Sequence, residues 1–250
     1  MSLEPSVDLL LFMGAVFLLA GLVKGVLGIG LPLVSLPLLM TVIEPITAMT
    51  LLVVPTFAVN LWQTAQSGYM GGALRRFWPA YPLLVAGMAV GVSFLTRLNT
   101  HALMILVGIV VIVIAVIQLL KLAFAIPERS ERWCTPVVGL ASGLLGGVTS
   151  FLGPLMIMYL VALRVDKDQF VGTIAQFYLI GAVPFFGGLA LSGHLGWREL
   201  VASCGAAVMI WFGVLIGQVL RERASGDLFR NLVLGLLIVI GANMIRKGLM

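Results

Sequence analysis

Between Val7 and Ile43 the chain runs for 37 residues with only two charged side chains, Asp8 and Lys24. About 20 apolar residues cross a bilayer once, so this run either crosses twice or folds back inside the membrane. Its middle reads Lys24-Gly25-Val26-Leu27-Gly28-Ile29-Gly30-Leu31-Pro32. Irregular backbone is tolerated at membrane depth only where it is buried in protein or lines a polar cavity. In transporters, Gly/Pro-interrupted apolar segments of this kind are the sequence pointer to the binding site.

The rest of the chain agrees with a membrane setting. It is 61% hydrophobic and 10% charged, against about 25% charged in a soluble domain. The apolar runs are too long for transmembrane strands of ~10 residues, so the spans are helical. The net charge of +5 fits basic cytoplasmic loops. No basic stripe or nucleic-acid motif is present, and no nucleic-acid partner is expected. No Gly-x-x-x-x-Gly-Lys-Ser/Thr sequence occurs, which excludes a phosphate-binding loop of that type. The N-terminus lacks the basic segment of a cleaved signal peptide. Cys134 and Cys204 are far apart and show no metal-ligand spacing, so both read as free thiols. No metal and no cofactor is expected. Trp62, Trp78, Trp133 and Trp197 fall near span ends, as an aromatic belt requires.

The chain repeats itself. Gly21, Gly25, Gly28, Gly30 and Pro37 are matched by Gly139, Gly143, Gly146, Gly147 and Pro154, at offsets of 117–118 residues. Ser67-Gly68 matches Ser192-Gly193 at 125, Gly87 and Gly91 match Gly213 and Gly217 at 126, and Gly108 matches Gly235 at 127. A slow drift in one order points to duplication. The expected organisation is a first transmembrane repeat over 1–125, a cytoplasmic linker over 126–134 and a second repeat over 135–250. Each repeat offers five elements: 7–27, 29–43, 46–66, 77–97 and 101–121, then 135–147, 150–163, 170–191, 199–220 and 229–246.

Charge distribution orients these elements. With ten crossings, one side holds Arg75, Arg76, Lys121, Arg129, Arg132, Arg164, Lys167, Arg221, Arg223 and Arg230, and the other holds Arg97, Arg198, Arg246 and Lys247. Ten against four satisfies the positive-inside rule. Five elements per half is odd, so the halves are inverted relative to one another. The fold class read from the sequence is therefore an all-α polytopic membrane protein. It has two inverted repeats of about five helical elements each, including short Gly/Pro-broken helices.

The duplicated openings "AGLVKGVLGIGLPLVSLPLL" and "VGLASGLLGGVTSFLGPLMIMYL" carry a resemblance, as do "GTIAQFYLIGAVPFFGGLALSGHLGWREL" and "FRNLVLGLLIVIGANMIRK". Over nearly its whole length the chain resembles the sulfite exporter TauE/SafE family, also called the toluene sulfonate uptake permease family. The family usually has a denser glycine cluster where this chain reads Gly28-Ile29-Gly30-Leu31-Pro32. The resemblance implies a permease or exporter in the bacterial inner membrane. Its cargo would be a small anion, a sulfur oxyanion or an organosulfonate.

Three groups of residues are candidates for substrate binding. Lys24 offers a positive charge to an anion, or else snorkels to the headgroups from a helix end. Gly28 and Gly30 in the first break and Gly153 in the second offer free N–H groups at a helix start, where anions are attracted, and Pro32 and Pro154 can open the short helices at their first turn. The alternative for the glycines is close helix packing, which is the expectation for Gly21-xxx-Gly25 and Gly139-xxx-Gly143. Asn60, Gln63, Ser142, Thr149, Ser150 and Gln176 are uncharged polar groups within spans; each serves either a ligand or an interhelical hydrogen bond. The expected partners are a small-molecule anion and the lipid bilayer, with a homodimer allowed.

A secondary transporter is the leading functional expectation, and a passive anion channel is the alternative. An intramembrane serine enzyme would need a buried base. The two histidines, His101 and His194, fall at span ends.

Overall fold

The computed structural model describes residues 6–27, 31–120, 126–221 and 226–250. The described residues form helices and no strands: α1 (Val7–Leu27), α2 (Leu31–Leu39), α3 (Pro45–Thr50), α4 (Val53–Ser67), α5 (Met70–Phe77), α6 (Ala80–Leu95), α7 (Thr100–Leu119), α8 (Glu128–Thr149), α9 (Gly153–Ala162), α10 (Lys167–Leu191), α11 (Trp197–Arg221) and α12 (Gly226–Leu249). Among the described residues six stretches are long and apolar enough to cross a bilayer: Val7–Val26, Pro45–Ser67, Thr100–Leu119, Gln169–Leu191, Trp197–Leu220 and Asn231–Leu249. A seventh is α5 with α6, bent by 79°. The protein is a multi-pass membrane protein.

The two short opening elements are half-length. With nine and ten residues, α2 and α9 cover about 14–15 Å at 1.5 Å per residue, half of a ~30 Å hydrocarbon core. The count of ten full crossings is therefore corrected to six or seven long spans plus broken helices. Two further differences have a physical basis. Residues 70–77 form α5, an amphipathic helix that buries Ala73 and Phe77 and turns Arg75 and Arg76 outward. The stretch 126–134 contributes the first turns of α8, in which Glu131 pairs with Arg76.

The chain divides into two compact units: Met1–Pro55 with Thr100–Leu119 and Trp197–Met250, and Thr56–Asn99 with Leu120–Gly196. In the first unit, α1 and α11 lie parallel and backbone to backbone. A Cβ at Gly21 would strike the Ile210 carbonyl, and one at Gly25 would strike Val214 and Gly217. Seen from α11, Gly213 meets Leu18 and Gly21, and Gly217 meets Leu22 and Gly25. Small residues four apart permit this approach, and without a hydrophobic drive in lipid such packing is what holds helices together. Helices α7 and α12 are antiparallel: Gly108 faces Gly241, and Gly248 faces His101. Gly235, the sequence partner of Gly108, has nothing within 4 Å of a built Cβ. Gly241, not Gly235, is the α12 glycine that packs on Gly108.

In the second unit α6 and α8 are also parallel. Gly139 abuts Ala80, Gly143 abuts Leu84, and Gly147 abuts Met88 and Gly91. The expectation that Gly21-xxx-Gly25 and Gly139-xxx-Gly143 serve packing is met. Gly147, which sequence spacing places in the second break, instead belongs to this interface.

Candidate functional site

The first break lies in the first unit. Helix α1 is apolar apart from Asp8 and Lys24, and Lys24 stands in its last turn. Lys24 is only 5% exposed, so its ammonium does not extend into bulk water, as a snorkelling lysine's would. A buried cation is costly unless it is partnered. Gly28 and Gly30 lie outside the described residues. Beyond them Pro32 occupies the second position of α2, where its missing N–H costs no helical bond. Every residue of α2 but Leu38 is buried. Ser35 donates to the Leu31 carbonyl at 2.8 Å, and Lys247 Nζ donates to the Thr41 carbonyl at 2.8 Å just past the helix end.

The second break lies in the second unit. Helix α8 ends at Thr149, and Ser150 adopts a left-handed conformation, φ 67° and ψ 4°. Its N–H donates to the Gly146 carbonyl at 2.6 Å, which satisfies one terminal carbonyl. Thr149 Oγ1 donates to the Leu145 carbonyl at 2.7 Å and accepts the Phe151 N–H at 3.2 Å. Phe151 and Leu152 are buried. Helix α9 then opens with Gly153 and Pro154, both buried. A side chain at Gly153 would occupy the position of the Tyr178 hydroxyl, with which the Gly153 backbone is hydrogen-bonded. Thus α10 faces this break through Tyr178, and through Gly181, whose built Cβ would meet Leu152.

Gln176 lies on the same helix but turns elsewhere. Its Nε2 donates to the Met70 carbonyl at 3.0 Å, and its Oε1 accepts from the Tyr81 hydroxyl at 3.2 Å. Asn60 is buried on α4 and donates to the Thr56 carbonyl at 2.7 Å, while Gln63 is half-buried. Ser142 is fully buried on α8. The second unit therefore brings Thr149, Ser150, Gly153 and Pro154 together at one break and ties Gln176 to α5 and α6.

Sequence reading missed Tyr178, Tyr81, Thr64 and Thr173. Tyrosine and threonine in an apolar run carry no spacing signal, and burial alone distinguishes them. Among the described residues no three His, Cys, Asp or Glu side chains group as metal ligands. Both cysteines are free, and both histidines are exposed.

No match to a curated protein or to a solved structure is found. The profile of the family described as sulfite exporter TauE/SafE aligns with residues 13–244, almost the whole chain, including both helix breaks and Lys24. With its apolar spans, the chain belongs to the sulfite exporter TauE/SafE family of membrane transporters.

Proposed function

We propose that the protein is a secondary transporter of a small anion, a sulfur oxyanion or organosulfonate, in the bacterial inner membrane. The observation that carries this reading is Lys24: a cation buried at 5% exposure, in an apolar helix, one turn before a glycine-rich break. An ionisable residue inside a membrane helix marks a substrate or ion path by default. Polar backbone at the start of α2 and of α9 adds two helix N-termini, each of which favours negative charge. Thr149, Ser150, Gly153, Pro154, Asn60, Gln63 and Gln176 remain candidate contacts in the second unit, and Lys24 and Pro32 in the first. For an exported anion the membrane potential supplies about 2.3 kcal/mol per charge per 100 mV.

The same reading includes inverted repeats over 1–125 and 135–250, joined through a cytoplasmic 126–134. Two observations support it. The repeat-related helices α7 and α12 run antiparallel, as inversion requires. In addition, the glycines of α1 and α11 (Gly21, Gly25, Gly213 and Gly217) have repeat partners in those of α8 and α6 (Gly139, Gly143, Gly87 and Gly91), and each set packs within its own unit.

The test is transport by purified protein in vesicles. Lys24→Gln keeps a polar side chain of similar length and removes the charge. Uptake of labelled sulfite at subsaturating concentration should fall at least about tenfold, the equivalent of ~1.4 kcal/mol, with expression unchanged. Unaltered uptake refutes the role of Lys24. Counter-flow exchange in the wild type is expected of a carrier, and its absence would favour a channel.

A further inference from the structure

Three buried side-chain hydroxyls in the second unit differ from several other buried polar side chains of these helices. Four of those side chains return a hydrogen bond to the carbonyl four residues earlier, Ser35 to Leu31, Thr135 to Glu131, Thr149 to Leu145 and Asn60 to Thr56, and Ser203 and Gln176 bond to carbonyls outside their own helices. Thr64 Oγ1, Ser142 Oγ and Thr173 Oγ1 make no hydrogen bond among the described residues, although the three residues are 2%, 0% and 0% exposed. A buried polar group without a partner carries a desolvation penalty, and native proteins keep few of them. Three in one unit call for an explanation.

Helix register places them within about two turns of one another. Helices α4 and α10 run antiparallel, with the Phe57 and Phe186 rings 6.1 Å apart and the Ser67 side chain against Gly172. Thr64 lies one turn before Ser67, whose hydroxyl donates to the Thr64 carbonyl, and Thr173 follows Gly172. Gln176, three residues beyond Thr173 and so on the same helix face, holds the Tyr81 hydroxyl. Tyr81 follows Ala80, which packs on Gly139 of α8, and Ser142 sits between Gly139 and the Gly143 that packs on Leu84. Thr64, Ser142, Thr173, Gln176 and Tyr81 are thus hydroxyl, amide and phenol groups contributed by four helices of the second unit at similar heights, with no charged member.

We infer that Thr64, Ser142 and Thr173 are substrate contacts: neutral hydroxyls that donate hydrogen bonds to the oxygens of a desolvated oxyanion in transit. The inference rests on the proposed transport function and deepens it by assigning the residues that replace the anion's hydration. Its chemistry suits transport, because a ligand that must leave again is better held by several neutral donors than by an ion pair. It also explains why these hydroxyls stay off the helix carbonyls: the donor remains available, and its desolvation cost is offset only while the anion is present.

The test uses the full chain in detergent, with direct binding of sulfite, sulfate and taurine and thermal unfolding without added ligand. Thr64→Val and Thr173→Val keep the shape and remove the hydroxyl, and Ser142→Ala does the same for the third site. Each should weaken binding of the anion that the wild type binds by about tenfold or less, and the triple variant by more, since each donor is worth on the order of one hydrogen bond. Without ligand the two Thr→Val variants should melt at the same temperature as the wild type or about 2–4 °C above it, because an unpartnered polar group has been removed. Thr64→Ser and Thr173→Ser should retain affinity. A lower melting temperature or failure to fold in the Thr→Val variants would mean that these hydroxyls hold the fold together, and overturns the inference. Equal binding by wild type and triple variant overturns it while leaving the transport reading intact. If the wild type itself binds none of the anions, the transport reading falls first and this inference with it.

Discussion

Ser203→Ala should destabilise the first unit well beyond the average cost of one interhelical hydrogen bond. Pro55 has no N–H, so the carbonyl of Leu51, four residues earlier, loses its helical partner. The ladder is interrupted there, and α3 ends at Thr50 before α4 begins at Val53. Ser203 of α11, fully buried, repairs both sides of the gap: its Oγ donates to the Leu51 carbonyl at 2.8 Å and accepts the Val54 N–H at 3.0 Å. In a bilayer no water can substitute. A single interhelical bond averages about 0.6 kcal/mol in such proteins, but Ser203→Ala leaves a carbonyl and an N–H unsatisfied together, each costing about 1–3 kcal/mol. The expected loss is about 2–6 kcal/mol, read as a shift in reversible unfolding in mixed detergent monitored by circular dichroism. Pro55→Ala restores the missing donor, so in that background the Ser203→Ala penalty should shrink by at least half, a coupling that a double-mutant cycle isolates. A penalty under about 0.5 kcal/mol, or one that Pro55→Ala leaves unchanged, would refute the repair argument.

Two other expectations follow from contacts. Gly21→Val should prevent stable folding, because the backbone of Ile210 occupies the space of its side chain, whereas Gly235→Ala meets open space and should be neutral or stabilise the helix by up to about 1 kcal/mol; melting temperatures of the two variants check the contrast. Arg76 pairs with Glu131 at 2.7 and 3.0 Å and lies over the Phe77 ring, yet its side chain is 36% exposed, so Glu131→Gln should cost no more than about 1 kcal/mol and less at 1 M salt, measured by the same unfolding assay.

Much of the architecture was legible in the sequence because lipid leaves few choices. Unbroken apolar runs had to be helices, and the limits of α1, α10 and α11 fall within a few residues of the runs that predicted them. Glycines four apart pointed to close packing of α1 and α8, although spacing alone could not say which helices they meet, or that Gly241 rather than Gly235 would face Gly108. Helix α5 and the first turns of α8 were hidden because they are charged or glycine-containing. Their helicity comes from burying one face, Ala73 and Phe77 in α5, and hydropathy does not report that. Of the candidate site, the helix breaks and Lys24 were visible as departures from an apolar pattern. Thr64 and Thr173 were not, since their interest lies in a hydrogen bond they do not make.

Each interruption of the helical ladder leaves backbone groups that must be satisfied from somewhere, and who satisfies them separates structure from function. At residues 51–54 Ser203 does it from another helix, and past α2 Lys247 does it through the Thr41 carbonyl. Both are long-range and polar, and they fix the broken backbone in one geometry. At residues 149–151 the repair is local, through Thr149 Oγ1 and the left-handed Ser150, with Tyr178 covering the first residue of α9. A substrate cannot compete for Leu51 or Thr41 without dismantling the fold. The groups still able to exchange partners are those that this scaffold leaves uncommitted, and among the described residues three of them are the hydroxyls of Thr64, Ser142 and Thr173. Backbone held by distant side chains gives each interruption one geometry, whereas buried hydroxyls with no partner among the described residues are the groups that the proposed transport reading assigns to an anion.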